Sequence, residues 1–322
     1  MQKVKLGTTD VEVSVLCLGT MYMGTKTPAD ISYTLLDRYI EAGGTFLDTA
    51  NCYAAWYEGG FGGESERLLG HWLKERGCRD KVQIASKVGF GYTGTEEDPG
   101  AETSLRAEII IRECEKSLKR LGIDCLDLFY AHNDAGMLPL DEMLGAFDKL
   151  IREGKTRAIG ASNFTSWRLA DALSTSAHQQ LAQFCCVQQN HTYLRPVPGF
   201  RPELWPPASP EFLDQCARKD ITVIAYSPLV RGAYMHPDQP LTAKFAGPDS
   251  AARLKVLGQV AQTRGVSANQ IVLAWLLHSN PQVLPLFGCS SIEQINDTFK
   301  CLKIKLTADE MTLLNDAGCV KR

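Results

Sequence analysis

The chain has 322 residues, 44% hydrophobic and 22% charged, a balance that suits a soluble protein with a large core and excludes a disordered chain. Its 34 Lys and Arg against 37 Asp and Glu leave a net charge of -3, so no basic field points to nucleic acid or an anionic membrane, and small-molecule partners are expected. The 11 cysteines include no Cys-x-x-Cys pair and no zinc-type spacing, and no apolar signal segment or run of 18 apolar residues occurs, which reads as reduced thiols in a cytoplasmic protein without a membrane span.

In chain order, Glu12-Val13 and the residues before them are expected to pair as a hairpin across Gly7-Thr8-Thr9-Asp10 and to plug the bottom of the barrel that the later strands build. Eight short apolar runs then recur: Val15-Leu18, Thr45-Leu47, Val82-Ser86, Leu126-Ala131, Ala158-Ala161, Cys185-Gln188, Ile221-Ala225 and Val283-Phe287. Between them lie segments of helical period: Asp30-Ala42, Ser65-Arg76, Ser104-Leu121, Asp141-Arg152, Thr165-Ser174, Pro210-Lys219 and Ala251-Arg264. Gly122 stands where the third helix wants a left-handed cap. Ser267-x-x-Gln270 and Thr307-x-x-Glu310 are capping boxes, the second opening an extra C-terminal helix. Continuous apolar strands, each followed by a helix, imply a parallel sheet covered outside. Eight such units favour a closed (β/α)8 TIM barrel over an open sheet. With no linker or repeat, residues 1–322 read as one domain, and Pro196-Pro210 as an irregular loop.

In such a barrel, chemistry sits where strands end at their carboxyl side. Reading the end of each run returns Asp48 and Tyr53, Lys87, His132, Ser162-Asn163, Gln188 and Tyr226-Ser227. Together Asp48, Lys87, Tyr53 and His132 make sense as a proton-transfer site, in which an ammonium favours ionisation of the phenol and a carboxylate holds the ammonium. An ion pair with satisfied, half-buried neighbours is the alternative, and the residues alone do not decide between them.

Taken in order, these motifs resemble the aldo-keto reductase family over nearly the whole chain: Gly44-x-x-x-Asp48-Thr49-Ala50-x-x-Tyr53, Ser65-Glu66-Arg67-Leu68-Leu69-Gly70, Ser86-Lys87-Val88-Gly89, Asp127-Leu128-x-x-x-His132, Gly160-Ala161-Ser162-Asn163-Phe164, Val187-Gln188 and Ala225-Tyr226-Ser227-Pro228-Leu229. The resemblance implies an NAD(P)(H)-dependent oxidoreductase acting on CH-OH groups, which interconverts an aldehyde, ketone or sugar with its alcohol on a barrel without a Rossmann domain. It makes Tyr53 the general acid/base, with Asp48 and Lys87 tuning it and His132 at the substrate carbonyl. It also gives the cofactor Asp48, with Gly19, Thr20 and Met21 at the first rim, Ser162, Asn163 and Gln188 at the carboxamide, Tyr226 on the nicotinamide ring, and Ser227, Leu229 and Gly232 along the pyrophosphate. Gly288, Ser290, Gln294 and Asp297 fall in its last cofactor motif. A cofactor-holding regulatory subunit is the non-enzyme alternative, and a metal-assisted isomerase would need ligands beyond Asp48 and His132.

Two departures stand out. Gly288 and Gln294 occupy positions where the family usually carries bases for a 2′-phosphate, so NAD use competes with NADP. After Tyr53 the chain inserts Ala54 to Gly63, whose glycines suggest a mobile flap and whose Trp56 and Tyr57 suggest substrate contacts. With Asn133, Asp134, His191 and Tyr193 adding polar reach, the expectation is a polar, sugar-like substrate.

Overall fold

A computed structural model describes residues 1–134, 138–200, 205–236 and 240–319. It opens with an antiparallel hairpin, β1 (Lys3–Lys5) and β2 (Glu12–Ser14), in which Val4 faces Val13. Then come β3 (Cys17–Gly19), β4 (Phe46–Asp48) and β5 (Gln83–Val88). A second hairpin, β6 (Tyr92–Gly94) and β7 (Pro99–Ala101), precedes β8 (Leu128–Ala131), β9 (Ile159–Ser162), β10 (Phe184–Asn190), β11 (Thr222–Tyr226) and β12 (Val283–Phe287). The eight strands outside the hairpins are parallel neighbours in a closed barrel, as the alternation of runs implied.

Period two along these strands sets everything above it. Phe46, Ala85, Tyr130, Cys186, Ile224 and Leu284 point into the barrel, where they pack with Leu6, Val11 and Val13 of the first hairpin, each fully buried. The hairpin is the floor. Two residues further along five of these strands come Asp48, Lys87, His132, Gln188 and Tyr226, the inward layer at the open end. The intervening Leu47, Ile84, Phe129, Ala161 and Val187 face the helices.

The helices are α1 (Ala29–Glu41), α2 (Glu64–Arg76), α3 (Ala107–Leu121), α4 (Leu140–Arg152), α5 (Ser166–Gln179), α6 (Pro210–Arg218), α7 (Ser250–Arg264), α8 (Ala268–His278), α9 (Ile292–Phe299) and α10 (Ala308–Asp316). Gly122 ends α3 in the left-handed region at φ 64°, and both capping boxes form as the sequence suggests. Two of the expected helices precede β12. It is α8, not the 251–264 segment, that packs on β12 and α9, whereas α7 lies across α8 and α10 in an outer layer. The composition of α8 explains this, because Ile271 to Leu276 are buried without a break. The second hairpin and α9 carry too few apolar residues to have been read in advance. Among the described residues no helix is long and apolar enough to cross a membrane.

Candidate active site

At the mouth Asp48 and Lys87 are fully buried, and an isolated charge there would be costly. Every donor of the ammonium is used. Lys87 Nζ gives hydrogen bonds to Asp48 Oδ1 at 2.5 Å, the Thr49 carbonyl at 2.7 Å and Tyr53 Oη at 2.8 Å. The second carboxylate oxygen of Asp48 accepts from Gln188 Nε2 at 2.7 Å, so the anion is fixed from two strands. Tyr53 Oη has only a long 3.2 Å contact to Asp48 Oδ1 for its own proton. That proton is loosely held.

Burial pushes the Tyr53 phenol well above its ordinary range, and the negative charge of Asp48 adds to the rise. The sequence suggested a phenol made more acidic by Lys87; in the folded chain desolvation outweighs the ammonium, and the phenol stays protonated. Burial, then the charge of Lys87, holds the His132 imidazole well below its usual range, so the ring is neutral. The Tyr53 and His132 rings meet edge to face, 6.0 Å apart, and Cys52 Sγ lies 3.8 Å from His132 Nδ1. A protonated phenol beside a neutral imidazole, both 8% exposed, can hold and protonate a carbonyl oxygen.

The amides expected at the carboxamide also converge. Asn163, held at φ 61°, donates through Nδ2 to the His132 carbonyl at 2.9 Å and to Ser162 Oγ at 3.0 Å. Its Oδ1 accepts from Tyr226 Oη at 2.8 Å, which fixes the ring expected to stack on a nicotinamide. Ser227 follows at φ 53°, and the turn through Leu229, Arg231 and Gly232 lies open at the rim. Sequence reading missed Lys244, a half-buried ammonium beyond a loop too long to place by pattern. Its Nζ bonds to Asn190 Oδ1 at 2.5 Å where β10 ends, it pairs with no carboxylate among the described residues, and burial lowers its pKa.

Other expected cofactor residues are placed differently. Thr20 is buried with its hydroxyl on the Asp48 carbonyl and Ser65, while Gly19 packs under Leu286 and Met21 joins the cluster around Tyr53. Beyond β12, Gln294 folds back, its Oε1 accepting from Ser290 N at 2.9 Å and Ser290 Oγ at 3.2 Å, above the open backbone of Gly288. Asp297 accepts from Gln270 Nε2 at 2.6 Å, which ties α9 to α8.

The loop after Tyr53 is less free than its glycines suggested. Glu64 accepts from Phe61 N at 2.5 Å and Gly62 N at 2.9 Å, and Gly94 N of β6 donates to the Phe61 carbonyl at 2.7 Å. Trp56 leans on Tyr53 with ring centroids 6.3 Å apart, while Tyr57 is exposed. The residues credited with polar reach are committed elsewhere. Asp134 is paired to Arg168 at 2.9 Å, His191 stacks on Trp275, Tyr193 donates to the Leu314 carbonyl at 3.1 Å, and Asn133 donates to the Gly89 carbonyl at 3.3 Å.

The family model described as Aldo/keto reductase family matches residues 15–318. The chain is 30% identical over 320 residues to norsolorinic acid reductase stcV of Emericella nidulans, covering 95% of this chain and 78% of that one. It is 31% identical over 324 residues to the uncharacterized oxidoreductase YrpG of Bacillus subtilis, covering 98% and 95%. Aldo-keto reductase yakc [NADP(+)] of Schizosaccharomyces pombe is 28% identical over 309 residues, covering 90% and 83%. Among solved structures, the thermostable aldo-keto reductase Tm1743 in complex with the inhibitor epalrestat superposes with a TM-score of 0.76 at 30% identity, covering 98% of this chain and all of that one.

Proposed function

The chain belongs to the aldo/keto reductase family of NAD(P)-dependent oxidoreductases, and from that premise we propose that it reduces a small-molecule carbonyl to its alcohol, with Tyr53 as the proton donor. One observation carries this reading: the buried Lys87 ammonium lies 2.8 Å from Tyr53 Oη and 2.5 Å from Asp48. When bound, the reduced nicotinamide supplies the hydride. Tyr53, protonated because burial raises its pKa, gives its loosely held proton to the oxygen that becomes an alkoxide. Lys87 stabilises the phenolate that remains and neutral His132 orients the oxygen, while Asp48 and Gln188 keep the ammonium in place.

The donor set fits a dinucleotide. The amides of Asn163 and Gln188 suit a carboxamide, the fixed ring of Tyr226 offers a stacking face, and the Lys244 ammonium, paired with no carboxylate among the described residues, suits a phosphate group. Because Gln294 closes on Ser290 where a base would meet a 2′-phosphate, both cofactor types are accepted in this reading. Fluorescence titration is expected to give NADPH an advantage below about tenfold, some 1.4 kcal/mol; a larger one would end the case for NAD. All eleven cysteines are free thiols, which suits a reducing compartment such as the cytoplasm, and we treat residues 1–322 as one functional domain.

Tyr53→Phe tests the central role. Turnover with an aldehyde panel should fall at least about 100-fold while cofactor affinity changes less than about threefold. Comparable turnover in the variant would remove Tyr53 from the mechanism.

A further inference from the structure

The turn between β9 and α5 has a backbone that must be held. Asn163 sits at φ 61°, a left-handed conformation that asparagine tolerates but that costs free energy in any residue with a side chain. Its amide is fixed from three strands: Nδ2 donates to the His132 carbonyl and to Ser162 Oγ, and Oδ1 accepts from the Tyr226 hydroxyl. Both hydrogens are thereby used, and Oδ1 keeps a second lone pair. These bonds set where that lone pair points only if the backbone beneath it stays in place.

Gln189 holds it. Period two along β10 turns Gln188 into the mouth and Gln189 outward, toward the layer where Leu47, Ile84, Phe129 and Val187 meet the helices. A polar amide at that depth, 1% exposed, needs partners for its donors and its acceptor. It has three. Oε1 accepts from Asn163 N at 3.0 Å, while Nε2 donates to the Phe164 carbonyl at 3.0 Å and the Pro206 carbonyl at 2.8 Å. The other acceptor near Asn163 N, the Gln188 carbonyl, is farther away at 3.2 Å. One acceptor and two donors on a single stem are what the uncharged carboxamide of glutamine supplies. A glutamate there would set a carboxylate against two carbonyls, and a leucine would leave both carbonyls without this donor.

Pro206 brings a third segment into the clamp. It lies at the end of the long loop after β10, beside Pro207, which bridges Asn190, and Ala208, whose N–H donates to the Asn190 carbonyl at 2.9 Å. On its other side Trp205 packs on Phe90 with ring centroids 5.2 Å apart, so the loop end is seated. One side chain therefore joins β10, the Asn163–Phe164 turn and the loop end. We propose that Gln189 is a positioning residue for the nicotinamide end of the cofactor: by clamping the left-handed turn it holds the Asn163 amide in place for the carboxamide before cofactor binds. Gln189 acts through Asn163 and not by contact with the ligand. This rests on the cofactor-dependent reading above and adds to it a residue that tunes one end of the dinucleotide only.

Dividing the ligand separates positioning from general stabilisation. The probes are NADPH and 2′-phospho-ADP-ribose, which keeps the adenosine and the phosphates but lacks the nicotinamide. Gln189→Met, which keeps length and volume without the polar ends, should raise the NADPH Kd about fivefold or more in fluorescence titration, while calorimetry should find the fragment Kd within about twofold of wild type. A staple that only stabilises the fold would weaken both ligands together or neither, and either result would overturn the proposal. Hydrogen exchange needs no variant. In wild-type protein without cofactor the Asn163 amide should already be protected, and NADPH should slow it by less than about threefold further. Exchange at an unprotected rate that slows only when NADPH is added would mean that the turn is set by the ligand, and would overturn the role of Gln189. Both readouts are of binding and exchange, so they judge Gln189 even if wild-type protein binds NADPH and reduces no carbonyl, the outcome that would end the reductase reading alone.

Discussion

Two buried ionic clusters lie within one strand's width of each other, and they do opposite things. In the first, Lys87 and Asp48 lock together and leave the Tyr53 proton weakly held beside a cleft. In the second, Glu66, Arg120, Asp98, Tyr92 and Glu113 close on themselves. Arg120 Nη1 bonds Glu66 Oε2 at 2.8 Å, its Nε bonds Asp98 Oδ2 at 2.6 Å, and its other nitrogen bonds the Tyr92 hydroxyl. Glu113 Oε2 in turn accepts from Tyr92 Oη at 2.7 Å and Asn51 Nδ2 at 3.0 Å. Burial and charge are common to both clusters, so neither marks chemistry by itself. What differs is closure. The second network spends its donors internally and clamps the β6–β7 hairpin to α3, which gives it a mechanical role.

The largest effect expected from this contrast is on Lys87. Lys87→Met removes the cation facing Tyr53 and leaves the buried Asp48 without its counter-charge, held only by the neutral donors Gln188 and Tyr53. Activity should fall by about 10²–10⁴ and stability by about 3–5 kcal/mol, read by steady-state rates and urea unfolding. More than a tenth of the activity remaining would dissolve the distinction between the clusters.

Arg120→Met is the matching change on the other side. It strands Glu66 and should cost a similar 3–5 kcal/mol, yet kcat should stay within about threefold, since none of the network's side-chain hydrogen bonds is made to Asp48, Lys87, Tyr53 or His132. The variant also has a signature in acid. Burial alone would raise the Asp98 carboxyl, but Arg120, Lys116 and Arg67 outweigh it and hold the pKa at about 2. A depressed folded value contributes stability above the unfolded pKa near ~4, and that contribution, about 1 kcal/mol after solvent screening, is lost as pH falls through 2. Arg120→Met should erase most of this step. An unchanged acid profile would mean Arg120 is not the cation that sets it.

The first cluster was legible in the sequence and the second was not, for physical reasons. Strand period fixes direction, so an apolar run ending in Asp48 or Lys87 already says that the side chain faces inward at the open end. Glu66 and Arg120 look like ordinary first-turn and last-turn helix charges. They meet only because Gly70, one turn beyond Glu66 on α2, lets that helix press on the end of α3, where an added Cβ would come within 2.5 Å of the Arg120 carbonyl. Phe90 and Trp205 were equally invisible, since their meeting depends on the path of the long loop after β10. The phenol was misjudged in one respect: charge partners can be inferred from strand ends, but desolvation depends on what covers the site.

The smallest effect should come where the clusters touch. Ser86 stands between them on β5, facing outward with its hydroxyl donating to Glu66 Oε1 at 2.5 Å, while the next residue, Lys87, faces the mouth. Ser86→Ala removes one hydrogen bond from a carboxylate that keeps its Arg120 partner, so stability should drop by about 1–2 kcal/mol. The consequence for kcat discriminates more sharply. Lys87 Nζ is fixed by three acceptors of its own, none of them in the outer network, so kcat and the Tyr53-dependent rate should change less than about twofold. A larger fall in kcat at unchanged cofactor affinity would show that the strand passes strain from one face to the other, and the clamp would then belong to the active site after all.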